Sequence, residues 1–197
     1  MMPDGVRAFV ALKMAPGVEQ AVADFIESIR KVTADRGNGI RWTRRDNLHL
    51  TLRFLGDGVT AATLERLDDA LRDIAAATAS FKIEVRGIGA FPNLSRPRVL
   101  WVGLESAELQ GLANKIERAA VSAGLAPERR AFAPHLTIAR TGDLAGWSET
   151  RRAIETAVER DFGSTAVEAL TLYRSILGRG YPVYEELGRY PFASKNP

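Results

Sequence analysis

The chain has 197 residues, of which 46% are hydrophobic and 26% are charged, a globular composition that excludes the disordered and fibrous classes of protein. Its formal net charge of +3 and sequence pI near 9.4 permit anionic partners without demanding them. Because the chain has no cysteine, it can form no disulfide, thiolate zinc site, thiol nucleophile or iron–sulfur cluster. The sequence predicts no signal peptide and no membrane span, and we expect a cytoplasmic protein.

Hydrophobic periodicity and turn residues divide the chain into alternating strands and helices. In chain order they predict strand 7–14, helix 16–32, a break at 36–39, strand 40–43, strand 47–56, helix 60–76, strand 81–86, a loop at 93–97, strand 98–104 covered on both faces, a helix capped by Ser106 and ended by Gly124, strand 131–140, a helix from Ser148, and strands 166–177 and 181–190 joined by a turn at 178–180. A strand, a helix, strand 47–56 and a helix come before one pair of strands, and a helix and strand 131–140 then come before another pair. This order indicates an internal duplication, within one large domain or two intimate lobes.

Both histidines of the chain begin a His-Leu-Thr tetrad, at 49–52 and at 135–138. In strand 47–56 the apolar residues alternate with polar ones, so one face is buried while His49 and Thr51 share the other. His135 and Thr137 repeat this arrangement. The two tetrads are too far apart for a solenoid repeat, but their separation suits two related lobes that face each other across a groove.

Two imidazoles on opposite sides of one ligand suit phosphodiester chemistry. One imidazole can accept a proton from the nucleophile while the other donates a proton to the leaving oxygen. The hydroxyls of Thr51 and Thr137 can donate to non-bridging phosphate oxygens. A single such histidine would more often be a structural residue, but packing alone does not explain two identical tetrads. A metal site lacks ligands, since no carboxylate stands nearby at a ligand spacing, and we expect neither metal nor cofactor.

The twin tetrads resemble the His-x-Thr-x motifs of the two-histidine phosphoesterase superfamily. They are most similar to its bacterial and archaeal branch of RNA 2′,3′-cyclic phosphodiesterases, often called 2′-5′ RNA ligases. The flanking sequence agrees over nearly the whole chain, in the opening strand 7–12, in Asn47 and Leu48, in 54–56, in Arg140 and in 172–184.

This resemblance implies an α+β fold of two lobes, a pseudo-twofold duplication in which two antiparallel sheets line a central cleft and helices lie outside, within one domain spanning 1–197. It also implies a metal-independent reaction that opens a terminal 2′,3′-cyclic phosphate of RNA to a 2′-phosphate, with the 3′ oxygen leaving. By resemblance alone His135 is the base and His49 the acid, and reversing the reaction exchanges these roles.

Two arginines and several aromatic residues are further candidates for substrate contacts. Arg140 lies five residues after His135 and would point away from it on a regular strand, whereas a bulge or strand end near Ala139 would turn it toward the phosphate. The resemblance places an arginine at this position and so implies a substrate contact; the alternative is a solvated arginine at a strand end. Arg53 shares the parity of His49 and is the second candidate. Trp42 and Tyr184 could stack on a base, although core packing is the commoner role; three other aromatic residues are assigned to the core, namely Phe9, Phe54 and Trp101.

Other functions remain open at this point. The same site would serve 2′-5′ linked oligonucleotides or small cyclic nucleotides, and RNA joining is the reaction in reverse. A module that binds RNA ends without catalysis is an alternative from another class. The expected partners are RNA ends that carry a 2′,3′-cyclic phosphate, and nothing in the sequence demands more than a monomer.

Overall fold

The structure is a computed structural model that describes residues 5–32, 39–142, 147–178 and 180–193. Residues 36–38 of the predicted break and Arg179 of the predicted turn lie outside these ranges. The helices are α1 Pro16–Val32, α2 Ala61–Ala76, α3 Glu108–Ser122 and α4 Trp147–Glu155, with a 3-10 turn at Arg45–Asn47. The strands are β1 Val6–Lys13, β2 Ile40–Trp42, β3 His49–Val59, β4 Phe81–Phe91, β5 Val99–Glu105, β6 His135–Thr141, β7 Asp161–Val167, β8 Ala169–Ile176 and β9 Val183–Pro191.

The strands form one continuous nine-stranded antiparallel sheet, and its two halves, which correspond to the two predicted sheets, meet at the two histidine strands. The strand order is β7-β4-β5-β6-β3-β1-β8-β9, and β2 pairs with the outer part of β6. Between β3 and β6 the pairing is limited to Leu50 and Leu136, so each four-stranded half has its histidine strand innermost. The order β6-β5-β4-β7 therefore mirrors β3-β1-β8-β9, as a pseudo-twofold duplication requires. The predicted fold class is confirmed.

The helices cover the outer faces of the two halves of the sheet. Helices α2 and α3 pack against each other and against strands β3, β8 and β9, whereas α1 packs against β7 and α4. Helix α1 follows β1 in the chain but lies on the opposite lobe, so the chain interlaces the two lobes. Within the described residues, no helix is both long enough and apolar enough to cross a bilayer.

The apolar positions of both tetrads anchor the core. Leu50, Leu136 and Ile138 are fully buried and belong to the hydrophobic cluster beneath the helices. Burial of each such side chain contributes roughly 1.5–3 kcal/mol relative to exposure. Because strand side chains alternate between faces, burying these residues presents His49 and His135 on the opposite face.

Several details of the predicted elements are wrong. A separate strand, β7, precedes β8, where we predicted one strand from 166; its polar sequence with Gly163 lacks a strand pattern, and it lies at the edge of its sheet. Helix α3 begins at Glu108 with Ala107 at the N-cap position, while the Ser106 hydroxyl donates to the Glu108 carboxylate. Strand β5 is covered on one face only, since its alternate residues are half-buried.

Candidate active site

Each histidine ring is fixed by the backbone carbonyl two residues before it. His49 Nδ1 lies 2.8 Å from the carbonyl oxygen of Asn47, and His135 Nδ1 lies 2.7 Å from that of Ala133. A carbonyl only accepts, so a neutral imidazole held this way carries its proton on Nδ1 and keeps Nε2 as an acceptor that faces the cleft. Both histidines are thereby prepared to exchange protons through Nε2.

The structure brings the two tetrads together. Because Leu50 pairs with Leu136 in antiparallel fashion, the register sets His49 across from Thr137 and Thr51 across from His135. On the first strand His49 Nε2 lies 3.1 Å from Thr51 Oγ1. Two imidazoles and two hydroxyls therefore share one face where the two halves of the sheet join.

Burial favours the neutral form of both histidines. Burial lowers the pKa of His49 to about 4, with further lowering by the charges of His135 and Arg140 and an opposing effect of the Asn47 carbonyl. Burial also lowers the pKa of His135, and Arg140 adds to this. An anionic ligand would oppose these effects, because a negative charge nearby favours imidazolium.

Arg140 reaches the cleft because β6 contains a bulge. Thr137 pairs with Trp101 and Ala139 with Leu100, so Ile138 is an extra residue in β6. Ile138 and Ala139 are both fully buried, and the following Arg140 is exposed. Of the predicted bulge or strand end, the structure has the bulge. The charge of Arg140 lowers the pKa of both histidines, so Arg140 lies within electrostatic reach of both.

The structure does not bring Arg53 to the other predicted site residues. In β3 Thr51 pairs with Ala11 and Arg53 with Val10, so Leu52 is a bulge residue here and Arg53 falls on the helix-facing side. Arg53 is only 8% exposed, forms an ion pair with Glu117 of α3, and donates to the carbonyl of Ala126. The prediction from strand parity assumed a regular strand, and the bulge reverses it.

Aromatic rings enclose His49. Phe9 stacks on its imidazole with ring centroids 4.8 Å apart, and Tyr184 meets it edge-on at 5.1 Å. The side chain of Asn47, whose carbonyl holds His49, donates to the carbonyl oxygen of Pro182 at 2.9 Å, just before β9. The β8–β9 connection is therefore tied to the histidine through one residue.

The surroundings of His135 are different. Phe91 meets its ring edge-on at 5.1 Å and lies 5.4 Å from Trp101. Trp101 pairs with Thr137 and with Gly89, so its indole lies on the cleft face, where a Cβ at residue 89 would overlap it. Only glycine leaves room for this ring.

Three of these aromatic contacts are not predictable from the sequence pattern. Phe9 and Trp101 were assigned to the core, because their strands are continuous apolar runs without the alternation that identifies a solvent-facing side. Phe91 was not considered, since β4 extends beyond the predicted strand 81–86. Trp42 is buried in the core, whereas Tyr184 lies in the site.

One cavity adjoins His49, and another lies on the other half of the sheet. A cavity of about 210 Å³ lies beside His49 and is lined by Lys13, Asp46, Leu48, His49, Tyr173, Tyr184 and Glu186. A more open one of about 330 Å³ lies beside Trp101 and Pro134. Among the residues that the structure describes, no group of three or more His, Asp or Glu side chains is placed to hold a metal ion.

Curated relatives and solved structures match this chain over most of its length. The RNA 2′,3′-cyclic phosphodiesterase of Aeropyrum pernix is 33% identical over 84% of this chain and 94% of its own length. The protein of that name from Methanothermobacter thermautotrophicus is 31% identical over 92% and 96%. The crystal structure of E. coli LigT complexed with 3′-AMP superposes with a TM-score of 0.77 at 26% identity, covering 95% of this chain and 98% of that chain.

The LigT-like phosphoesterase family matches the chain twice, over residues 16–101 and 102–184. The first match contains the His49 tetrad and the second contains the His135 tetrad, so each copy of the duplicated unit carries one histidine. This chain belongs to the LigT-like phosphoesterase family.

Proposed function

We propose that the protein is an RNA 2′,3′-cyclic phosphodiesterase that opens a terminal cyclic phosphate to a 2′-phosphate. The observation that carries the proposal is the pair of histidines, His49 and His135, each held at Nδ1 by a backbone carbonyl and each facing the same cleft. The names of relatives that share about 30% of their residues with this chain support the substrate.

In the proposed reaction His135 Nε2 accepts a proton from water as the water oxygen attacks phosphorus. The bond from phosphorus to the 3′ oxygen breaks, and His49 Nε2 donates a proton to that oxygen. The products are a 2′-phosphomonoester and a free 3′ hydroxyl. The family resemblance alone orders the two histidines. Thr51 and Thr137 donate to the non-bridging oxygens, and Arg140 offsets the charge that develops on them.

The low pKa values suit the base and leave the acid in need of a proton. A neutral His135 is ready to accept a proton, while His49 must be protonated to donate one. The anionic cyclic phosphate raises the pKa of a neighbouring imidazole. We therefore propose that substrate binding favours protonation of His49. We also propose that these side chains carry out the reaction without a metal ion.

Three finer points belong to the same proposal. A 5′ hydroxyl in place of water would attack the cyclic phosphate and join two RNA ends by a 2′-5′ linkage. The site draws one tetrad from each lobe of a single chain, which supports one catalytic domain over 1–197 that acts as a monomer. An RNA substrate and the lack of cysteine support a cytoplasmic location.

The test is to incubate chelator-treated protein with a short RNA ending in a 2′,3′-cyclic phosphate. The wild type is expected to yield the 2′-phosphate, and His49→Ala and His135→Ala are each expected to reduce turnover by about 10²-fold or more. Lys115→Ala, on the exposed face of α3, is the control that retains activity. Binding without turnover in all variants would instead indicate a module that binds RNA ends.

A small nucleotide is the second candidate substrate. Crystal structures of the related E. coli LigT are described as complexes with 3′-AMP, ATP and NADP+. Hydrolysis of cyclic mononucleotides as fast as RNA, without dependence on salt, would favour this candidate, because longer RNA adds salt-dependent phosphate contacts.

A further inference from the structure

The two histidine strands carry different types of side chain at the fifth residue after each histidine. After the bulges, Arg140 follows His135 and Phe54 follows His49 at this position. Arg140 pairs with Val99, which also pairs with Phe91, the ring that touches His135. Phe54 pairs with Phe9, the ring that stacks on His49, so both positions lie on the cleft face.

A neighbouring strand supplies the guanidinium that β3 lacks. Arg7 lies on β1, two residues before Phe9 and on the same face. Its guanidinium carbon is 4.4 Å from the centroid of the Phe54 ring, a cation–π geometry. Both ends of the pseudo-symmetric site therefore present a guanidinium, Arg140 directly from its histidine strand and Arg7 from the strand beside it.

The charges of the two guanidinium groups act on different side chains of the site. Arg7 and Arg140 both lower the pKa of Tyr184, which burial otherwise raises. The charges that act on the histidines are those of Arg140 and, for His49, of His135. Arg7 contacts the Phe54 ring, Phe54 pairs with Phe9, and Phe9 stacks on His49, so two aromatic rings connect Arg7 to that imidazole.

Arg7 is held where an anion can reach it. It forms an ion pair with Asp57, and the side chains of Arg7 and Asp57 are 36% and 75% exposed. Exposed ion pairs contribute little and are screened by solvent, so a phosphate can replace the carboxylate at small cost. An arginine fork also matches phosphate oxygens in two parallel hydrogen bonds.

We propose that Arg7 binds a second phosphate of the substrate, the phosphodiester on the 5′ side of the nucleotide that carries the cyclic phosphate. This inference rests on the proposed function and deepens it. It makes Arg7 a specificity-determining residue that favours an RNA end over a cyclic mononucleotide, because only the RNA end has a phosphate one nucleotide away from the reacting one.

The test compares two dinucleotides that both end in a 2′,3′-cyclic phosphate. One has an ordinary internal phosphodiester, and the other has a neutral methylphosphonate at that linkage. The quantity measured is the ratio of kcat/KM for the charged over the neutral substrate. We expect this ratio to be about tenfold in the wild type, from one charge-assisted contact, and to fall close to one in Arg7→Gln.

Two further variants make the test specific. Asp57→Asn removes the competing carboxylate and is expected to raise the ratio. Arg151→Gln removes an exposed, ion-paired arginine on the outer helix α4 and is expected to leave the ratio unchanged.

The possible failures are distinguishable. Turnover of neither substrate by the wild type would overturn the proposed function and the role of Arg7 with it. Turnover with an unchanged ratio in Arg7→Gln would overturn the role of Arg7 alone. An equal loss on both substrates in Arg7→Gln would assign Arg7 to the reacting phosphate, which also contradicts the inference.

Discussion

The histidine strands β3 and β6 share one backbone irregularity and use it for different purposes. Each has a bulge at the fourth residue of its tetrad, Leu52 in one and Ile138 in the other. The next residue turns inward in both strands, as Arg53 and Ala139. The residue after that turns into the cleft, as Phe54 and Arg140. The duplicated backbone therefore fixes where a side chain points, and the sequence of each copy determines which side chain, Phe54 or Arg140, lies there.

The largest test of this comparison replaces the outward-facing residue in each copy. Arg140→Gln is expected to lower kcat/KM by about 10²- to 10³-fold, as loss of a group that stabilises developing charge does. Phe54→Leu at the equivalent position keeps an apolar side chain and is expected to change kcat/KM far less. Steady-state kinetics on one cyclic-phosphate RNA measure both. Equal losses would show that the two copies contribute alike.

The inward-facing Arg53 and its ion pair with Glu117 allow a test of stability. Arg53→Met leaves the Glu117 carboxylate without its buried partner and is expected to lower the free energy of unfolding by about 3 kcal/mol, measured by urea denaturation. The double variant Arg53→Met with Glu117→Gln removes both charges and should recover part of that loss. If kcat of the folded Arg53→Met protein falls as steeply as that of Arg140→Gln, Arg53 has a role in the cleft after all.

The pH dependence of stability tests the burial of His49. His49 titrates near 4 when folded and near its usual value of about 6.5 when unfolded. Between these values the unfolded chain binds more protons, so stability is complete above pH 6.5 and falls with decreasing pH toward 4. The loss is up to about 3 kcal/mol. His49→Gln should remove this component, and unfolding curves of both proteins at several pH values measure the difference. Parallel pH profiles would contradict the buried, neutral imidazole.

The smallest expected effect concerns the rings around each histidine. Tyr184→Leu removes the edge contact to His49, and Phe91→Leu removes its counterpart at His135. Such contacts contribute about 0.5–1.5 kcal/mol beyond burial, so a loss of about two- to tenfold in kcat is expected for each. Tyr184→Phe keeps the ring and should retain most activity. A total loss in Tyr184→Phe would instead assign a chemical role to the hydroxyl.

The sequence was sufficient where the physical signal is periodic. Alternation of leucine with histidine and threonine identified the exposed face of each tetrad, and the two tetrads together with their flanks predicted the fold class. The resemblance placed an arginine at position 140, and reaching the cleft from there required a bulge or a strand end, of which the structure has the bulge.

What the sequence could not supply depends on pairing between distant strands. The bulge at Leu52 is visible only in the register of β3 against β1, and it reverses the side on which Arg53 lies. Phe9 and Trp101 sit in strands that are apolar throughout, so no alternation separates the cleft face from the core. The placement of Arg7 over Phe54 likewise joins residues far apart in the sequence.

The single pairing of Leu50 with Leu136 has a mechanical consequence. If one half of the sheet rotated against the other about this contact, the displacement of each residue would grow with its distance from the contact. His49 and His135 are the neighbours of Leu50 and Leu136 in the sequence, so the distance between them would change little while strands farther from the contact moved apart. Such a rotation would open the cleft for a bulky ligand and keep the Nε2 atoms of the two histidines in place.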